Sequence, residues 1–220
     1  MMITSLQDRL GHFTDETRAF FRLLRQSGDV CEIRAPDCPH KPGGDFRSTH
    51  SGYFRAARKA LEEVEWLTTR RPRGIYVTLN PVRPALLARS ANKITSKAEH
   101  TTADEDIVRR DWLFLDIDSE RPTGVSATDE ELEAALDLAE HIRTDLAAEG
   151  WPDAVLCMSG NGAYLLYRIE LPNDEWATDL VKRTVQGLAH RYDTDAAEID
   201  RKTYNASRII KVMGTWARKG

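Results

Sequence analysis

The sequence has 220 residues, which is enough for one sizeable hydrophobic core or for a core with a smaller layer beside it. Its 41% hydrophobic and 30% charged residues are an ordinary globular balance, and no apolar run is long enough to cross a bilayer. A net charge of −4 indicates that the surface as a whole is not basic, as that of many DNA-binding proteins is. Binding of nucleic acid is not excluded, because it depends on local clusters of basic residues. The N-terminus lacks a secretory signal pattern and three cysteines are too few for a disulfide framework, so we expect a cytoplasmic protein.

The first half of the chain predicts short elements of mixed type. In chain order these are a helix over 14–27 with Thr14 as its N-cap, a strand over 29–35, a loop through Gly44 and a helix over about 52–67. Residues 74–80 alternate β-branched and aromatic side chains, which predicts a strand that Pro81 ends. Residues 90–108 are polar and predict a long loop, a feature that is often functional in a compact domain.

The second half gives clearer signals. Residues 111–118 are an almost continuous apolar run ending in two aspartates, which is typical of a central strand. Thr128 and Glu131 form a capping box before an amphipathic helix that ends near Gly150. The remaining predicted elements are strands over 154–159 and 163–169 joined by a short glycine turn, a helix over 174–191 and a strand over 207–214. Mixed strands and helices with a hairpin favour an α+β fold over a doubly wound parallel sheet.

Asp116 and Asp118 end the apolar strand and are separated by one residue. Alternate residues of a strand point to the same face, so both carboxylates can reach one site. Two carboxylates at this spacing repel each other unless a cation lies between them, which indicates a magnesium or manganese site. The alternative is a solvated strand end that leads into a turn, because this pattern alone is a weak signal.

Two other segments carry groups suited to phosphate chemistry. The turn Ser159–Gly162 has glycines that allow close backbone approach and amides that could hold a phosphate; an ordinary hairpin turn is the alternative. Asp200 precedes a basic segment that contains Arg208 and Lys211. A third carboxylate beside cations suits a metal and triphosphate site, whereas the alternative is a surface cluster of salt bridges.

In this order, the segments resemble the motifs of the archaeo-eukaryotic primase superfamily, and most closely the primase-polymerase domains of phages, plasmids and other mobile elements. The stretches that carry the resemblance are GIYVTLNPV (74–82), DWLFLDIDSERP (111–122), SGNGAYLLYRIELP (159–172) and IDRKTYNASRIIKVMGTWARKG (199–220). The resemblance implies an α+β primase catalytic core with an RRM-like sheet flanked by helices. It also implies one catalytic domain over 1–220, with an N-terminal αβ part (1–73) and a motif-bearing core (74–220), as a fragment of a longer replication protein.

The resemblance assigns roles to individual residues. Asp116, Asp118 and Asp200 match the catalytic metal-binding residues and would bind two divalent ions, magnesium or manganese. The residues implied to bind the nucleotide are Ser159, Asn161, Gly162, Tyr164, Arg208, Lys211 and Asn80. The second motif of the family ends in histidine where this sequence has a tyrosine, whose hydroxyl carries no positive charge near neutral pH. Losing one charge-assisted phosphate contact would cost about 1.5–3 kcal/mol.

The function implied by the resemblance is a template-dependent nucleotidyltransferase, a DNA primase or polymerase acting in replication or repair priming. Its partners would be nucleoside triphosphates, a single-stranded DNA template with its primer, and a helicase domain or helicase, with no membrane. Because Tyr164 replaces the usual histidine, the alternative is a catalytically weak relative that binds nucleotides or single-stranded nucleic acid.

Two other interpretations match the residues less well. Cys31, Cys38, His40 and His50 could form a zinc knuckle, but their spacing is irregular beside the usual close cysteine pair. The run FLDID could begin a phosphatase of the haloacid dehalogenase type. However, DIDSE (116–120) is a poor match to its phosphate loop, and the later lysine and paired acids of that family are not evident.

Overall fold

The computed structural model describes residues 6–122 and 124–217. In this part of the chain it has four α-helices and two four-stranded antiparallel sheets, which confirms the α+β class. The helices are α1 (Leu6–Leu24), α2 (Ala57–Thr69), α3 (Asp129–Ala148) and α4 (Glu175–Tyr192). The strands are β1 (Cys31–Pro39), β2 (Arg47–Phe54), β3 (Tyr76–Thr78), β4 (Arg109–Ser119), β5 (Val155–Met158), β6 (Gly162–Pro172), β7 (Ala197–Ile199) and β8 (Ile209–Lys211). None of the described helices has the length and apolar character needed to cross a membrane.

The described residues form two compact units, each with its own sheet. The first unit comprises residues up to Thr102 together with Ile209–Trp216, and the second comprises Ala103–Arg208 together with residue 217. The boundary that the motifs suggest, after residue 73, therefore differs from the boundary between the compact units, which follows Thr102. The C-terminal strand β8 returns to the first unit, where it pairs with β3.

The sheet of the first unit has the strand order β2-β1-β3-β8. The prediction of a helix over about 52–67 is wrong at its start, because residues up to Phe54 belong to β2, which pairs with β1, and α2 begins only at Ala57. Gly52 explains part of this outcome: a Cβ there would lie 2.0 Å from the carbonyl oxygen of Lys93, so the strand depends on close backbone approach. The predicted N-cap at Thr14 is also wrong, since α1 begins at Leu6.

A buried carboxylate connects β1 to the neighbouring segments of the first unit. Glu32 has no exposed surface, and its oxygens accept hydrogen bonds from Arg34 at 2.6 and 2.9 Å, from the Ser51 hydroxyl at 2.5 Å and from the Thr102 amide at 2.9 Å. Burial alone would raise the pKa of Glu32. The hydrogen bond and charge of Arg34, with the other two donors, outweigh burial and hold that pKa below its ordinary value.

The second unit has the element order β4-α3-β5-β6-α4-β7 and the strand order β5-β6-β4-β7. Its core lies between one sheet face and the two helices, and β4 contributes Leu113, Leu115 and Ile117 to it. The predicted capping box is confirmed, because the Thr128 hydroxyl accepts from the Glu131 amide at 3.2 Å and the Glu131 carboxylate accepts from the Thr128 amide at 2.8 Å. Burial of each large apolar side chain here contributes roughly 1.5–3 kcal/mol.

Replacing Glu32 by Gln is expected to lower the free energy of unfolding by about 3 kcal/mol at pH 7, because Arg34 loses its buried counter-charge. Since the folded-state pKa of Glu32 is lowered, its contribution is complete above the unfolded value, roughly 4.3, and is lost as pH falls through the folded value. Urea unfolding at pH 7 and pH 3 measures both effects. The difference between wild type and variant should shrink at pH 3.

Glu99→Gln is the matched control, because Glu99 is exposed in the same unit. It should change the unfolding free energy by less than about 0.5 kcal/mol. Equal stability of the Glu32 and Glu99 variants at pH 7 would contradict the role given to Glu32.

Candidate active site

Asp116 and Asp118 lie near the C-terminal end of β4, on the sheet face opposite the helices. Their neighbours Leu115 and Ile117 are fully buried in the core that packs against α3 and α4. Because side chains alternate along a strand, the two aspartates point together to the other face. Both are partly exposed there, so they are open to a ligand.

Asp200 directly follows β7, which pairs with the end of β4 through Ile117 and Ile199. The Asp200 amide donates a hydrogen bond to the carbonyl oxygen of Asp116 at 2.8 Å. Residues directly opposite each other in an antiparallel pair have Cβ atoms about 4.5–5.5 Å apart. Three aspartates from distant parts of the sequence are therefore neighbours on one face of the sheet.

Glu198 is a fourth carboxylate at this edge and was not among the predicted site residues. It pairs with Asp118 across the two strands and is exposed. Ala197 and Ile199, on either side of it, are buried in the helix-side core, so Glu198 lies on the same face as the aspartates. The alternation Glu198-x-Asp200 repeats that of Asp116-x-Asp118 and was the available signal.

Basic and backbone donors hold two of these carboxylates. Arg121 donates to Asp118 Oδ1 at 2.9 Å and to the Ser119 hydroxyl at 2.7 Å, and its side chain is only 6% exposed. Asp200 Oδ1 accepts from the amide of Lys202 at 2.9 Å. A cavity of about 330 Å³ borders Asp118, Glu198 and Asp200 together with Arg201 and Lys202.

Carboxylate oxygens are the donors that magnesium and manganese prefer. Within the described residues, however, no three His, Cys, Asp or Glu side chains are gathered as a ligand set in this arrangement. The chemical type of the donors and their backbone positions fit a divalent cation, while the side chain of Asp118 is paired with Arg121.

The turn Ser159–Gly162 packs directly against this edge, because Gly162 pairs with Asp118. A Cβ on Gly162 would lie 2.4 Å from the carbonyl oxygen of Ile117 and 3.1 Å from Asp118 Oδ1, so only glycine fits. The polar side chains of the turn have partners within the second unit: the Ser159 hydroxyl donates to the Gly162 carbonyl at 3.1 Å, and Asn161 Oδ1 accepts from the Ala127 amide, in the segment before α3, at 3.0 Å.

Tyr164 is the cross-strand neighbour of Asp116. Its side chain is buried, and its ring packs edge to face on Phe114 with 4.9 Å between the ring centres. Tyr164 therefore lies beside the candidate catalytic aspartates, in contact with an aromatic side chain of β4.

The other predicted nucleotide-binding residues divide between the two units. Arg208 belongs to the second unit, is half-buried and donates to the carbonyl of Lys202. Asn80 and Lys211 belong to the first unit, and both are buried. The ammonium group of Lys211 donates to the carbonyl of Thr215, and burial lowers the pKa of Lys211 to about 8.

The four residues considered for a zinc knuckle are not brought together as ligands among the residues that the structure describes. Along β1, Cys31 pairs with Phe54, whereas Cys38 pairs with Ser48 toward the other end of the hairpin. The His40 ring hydrogen-bonds the Ser48 hydroxyl at 2.8 Å instead.

Comparison with known proteins gives no independent assignment, because no family model matches this sequence and no significant relative was found among curated proteins. A functional proposal therefore has to rest on the motifs and on the geometry of the second unit.

Gly162→Ala is expected to lower the free energy of unfolding by about 1–3 kcal/mol, because the new methyl group displaces the backbone of β4 at Ile117. Chemical denaturation measures the loss. Gly187→Ala is the control: this glycine lies within α4, and a methyl group there would meet no neighbouring group within 4 Å, so alanine should stabilise the protein by about 0.5–1 kcal/mol. Equal effects of the two substitutions would contradict the close approach at Gly162.

Proposed function

We propose that this chain is a template-dependent nucleotidyltransferase of the primase-polymerase type. The observation that carries the proposal is that Asp116, Asp118 and Asp200 are neighbours on the sheet face opposite α3 and α4, because phosphoryl transfer by two divalent ions needs several carboxylates close together. A surface cluster of salt bridges would not require three acids side by side, where they repel each other.

The topology of the second unit supports the same proposal. An order of β-α-β-β-α-β, with the first and third strands in the centre of an antiparallel sheet, is the split βαβ arrangement that RRM domains also use. We therefore propose an RRM-like catalytic sheet flanked by α3 and α4. The sheet face opposite these helices carries the aspartates and Tyr164.

In this proposal Asp116, Asp118 and Asp200 hold two magnesium or manganese ions, and Glu198 adds negative charge beside them. When bound, such ions lower the pKa of the attacking hydroxyl and stabilise the leaving pyrophosphate. Arg121 would leave Asp118 to make room for a cation, and its guanidinium would then be available to the phosphates.

Positively charged side chains would contact the triphosphate in this proposal. Arg201 and Lys202 border the cavity beside Asp200, where they offset charge that develops on phosphate oxygens. Arg208, Lys211 and Asn80 remain proposed nucleotide contacts, as do the residues of the turn. A single-stranded DNA template with its primer would be bound mainly through its phosphates, with an affinity that falls as salt rises. A helicase domain or partner is part of the same proposal.

The second candidate function is a catalytically weak module that binds nucleotides or single-stranded nucleic acid. It is favoured by the position of Tyr164, which lies next to Asp116 and supplies a neutral hydroxyl where the primase motif that the sequence resembles has a histidine. Both candidates use the sheet face that carries the aspartates, so the distinction between them is chemical.

Asp116→Ala is expected to abolish nucleotide incorporation, because it removes a carboxylate that the metal ions need. The assay is extension of a labelled primer and unprimed synthesis on single-stranded DNA with manganese, resolved on a gel. Asp137→Ala is the control, since Asp137 is exposed on α3 away from the aspartate face, and its activity should equal that of wild type. Undiminished synthesis by Asp116→Ala rejects the metal assignment. No synthesis by wild type with retained DNA binding favours the binding module.

Tyr164→His is expected to preserve or raise synthesis, with a KM for nucleoside triphosphate lowered by about tenfold if the imidazole restores one charge-assisted contact. Steady-state incorporation at varied nucleotide concentration measures it. Tyr164→Phe serves as the comparison, because it keeps the packing on Phe114 but removes the hydroxyl. A loss of activity in the histidine variant alone, with normal stability, would show that the tyrosine position has another role.

A further inference from the structure

The first unit contains a cavity of about 580 Å³ between the C-terminal half of α1, the start of β1 and the start of α2. This volume lies within the roughly 300–1,000 Å³ typical of small-molecule sites. Its apolar surface includes the rings of Phe21 and Phe54 and the methyl group of Ala60, each at most 4% exposed. These side chains are already packed away from water, and they form an apolar floor against which a flat apolar part of a ligand would lie.

The charged lining of the cavity is strongly basic. It contains one carboxylate, Asp29, and five arginines, which are Arg18, Arg22, Arg25, Arg55 and Arg58. Arg22 and Arg55 are exposed and have no acidic partner among the described residues. Concentrating this much positive charge around an open cavity in a protein of net charge −4 favours an anionic ligand.

Two of the remaining arginines are in surface ion pairs, Arg18 with Asp15 and Arg58 with Glu62. Such exposed pairs are weak, so both guanidinium groups remain available to an anion of higher charge. Arg25 instead donates to main-chain carbonyls, including that of Leu79 at 3.1 Å, and so fixes the cavity wall.

The start of α2 adds to the positive electrostatic potential of the cavity. Ala56, Ala57 and Arg58 line the cavity, and the N-cap residue Ala56 offers no side-chain acceptor to the amides of the first turn. Asn92 Oδ1 accepts from the amides of Arg55 and Ala56, which leads the chain into the helix. The positive end of the helix dipole therefore lies at the cavity beside the arginines.

We propose that this cavity binds the phosphate group of a nucleotide, with the arginines on the phosphates and the apolar surface against the base or sugar. Guanidinium groups match phosphate oxygens two at a time, and arginine stacks on aromatic rings, so this lining suits both parts of a nucleotide. The cavity shares no residue with the aspartate face of the second unit. The proposal does not depend on the nucleotidyltransferase activity.

The decisive variant is Ala57→Glu. A glutamate in the first turn complements the helix dipole, so the variant should be as stable as wild type or more so, while its charge repels a phosphate in the cavity. Titration calorimetry with ATP and with inorganic triphosphate, in buffer containing EDTA, measures binding independently of divalent ions. We expect ATP affinity to fall at least tenfold in Ala57→Glu and little in the neutral control Ala57→Gln.

Arg22→Ala and Arg55→Ala should each weaken ATP binding by about tenfold, because each removes one charge-assisted phosphate contact. Arg83→Ala is their control, as it removes one exposed positive charge of the same unit outside the cavity. Equal weakening by all three variants, unchanged binding in Ala57→Glu, or no ATP binding by wild type at millimolar concentration would each overturn the proposal.

Oligonucleotides identify the source of the phosphate. If the protein prefers a 5′-phosphorylated strand over its 5′-hydroxyl counterpart, the phosphate bound in the cavity is that of a strand end. If ATP binds more tightly than either strand, the ligand is a free nucleotide. Both outcomes support the site. Asp137→Ala in the second unit should bind ATP as wild type does in EDTA. ATP binding in EDTA is measured without synthesis, so it would stand even if the proposed synthesis failed, and loss of binding in Asp137→Ala would count against the cavity.

Discussion

The pairing of the central strand β4 with β6 on one side and β7 on the other is the constraint on which the candidate site depends. Leu113, Leu115 and Ile117 must remain in the core beneath α3 and α4, and a slip of one residue would turn every side chain to the opposite face. The register that buries these residues is therefore the register that exposes Asp116 and Asp118. In β4, the same register is therefore needed to pack the core and to place the aspartates.

The edge that results is electrostatically unfavourable by itself, since four carboxylates lie on one face near the β4–β7 pair. Arg121 and the Lys202 amide reduce the repulsion by hydrogen bonding Asp118 and Asp200. A site of this kind gains most from added cations, because a divalent ion replaces a single guanidinium charge. The absence of a side chain at Gly162 lets the neighbouring turn approach the backbone of β4 at Ile117.

The first unit has the opposite character, with arginines around an apolar cavity and an uncapped helix start. The net charge of the whole chain hides this contrast, because acidic helices such as α3 offset the local basic groups. The buried carboxylate of Glu32 serves the fold of the first unit, because it joins β1 to β2 through Ser51 and to the amide of Thr102. Lys211 carries a charge that would suit a phosphate, but its ammonium group donates a hydrogen bond to the nearby carbonyl of Thr215.

Local patterns in the sequence determined the elements that need only near neighbours, such as the capping box at Thr128, the helices α3 and α4, and the shared face of Asp116 and Asp118. The positions of β2 and β7 were determined only by the tertiary structure. Short strands of this kind form where a partner strand supplies their hydrogen bonds, and the partner lies elsewhere in the sequence. The same pairing brought Glu198 and Asp200 to β4 over some eighty residues. Burial of Lys211 likewise followed from packing, since the residues that cover a side chain lie elsewhere in the fold and leave no signal in its own segment.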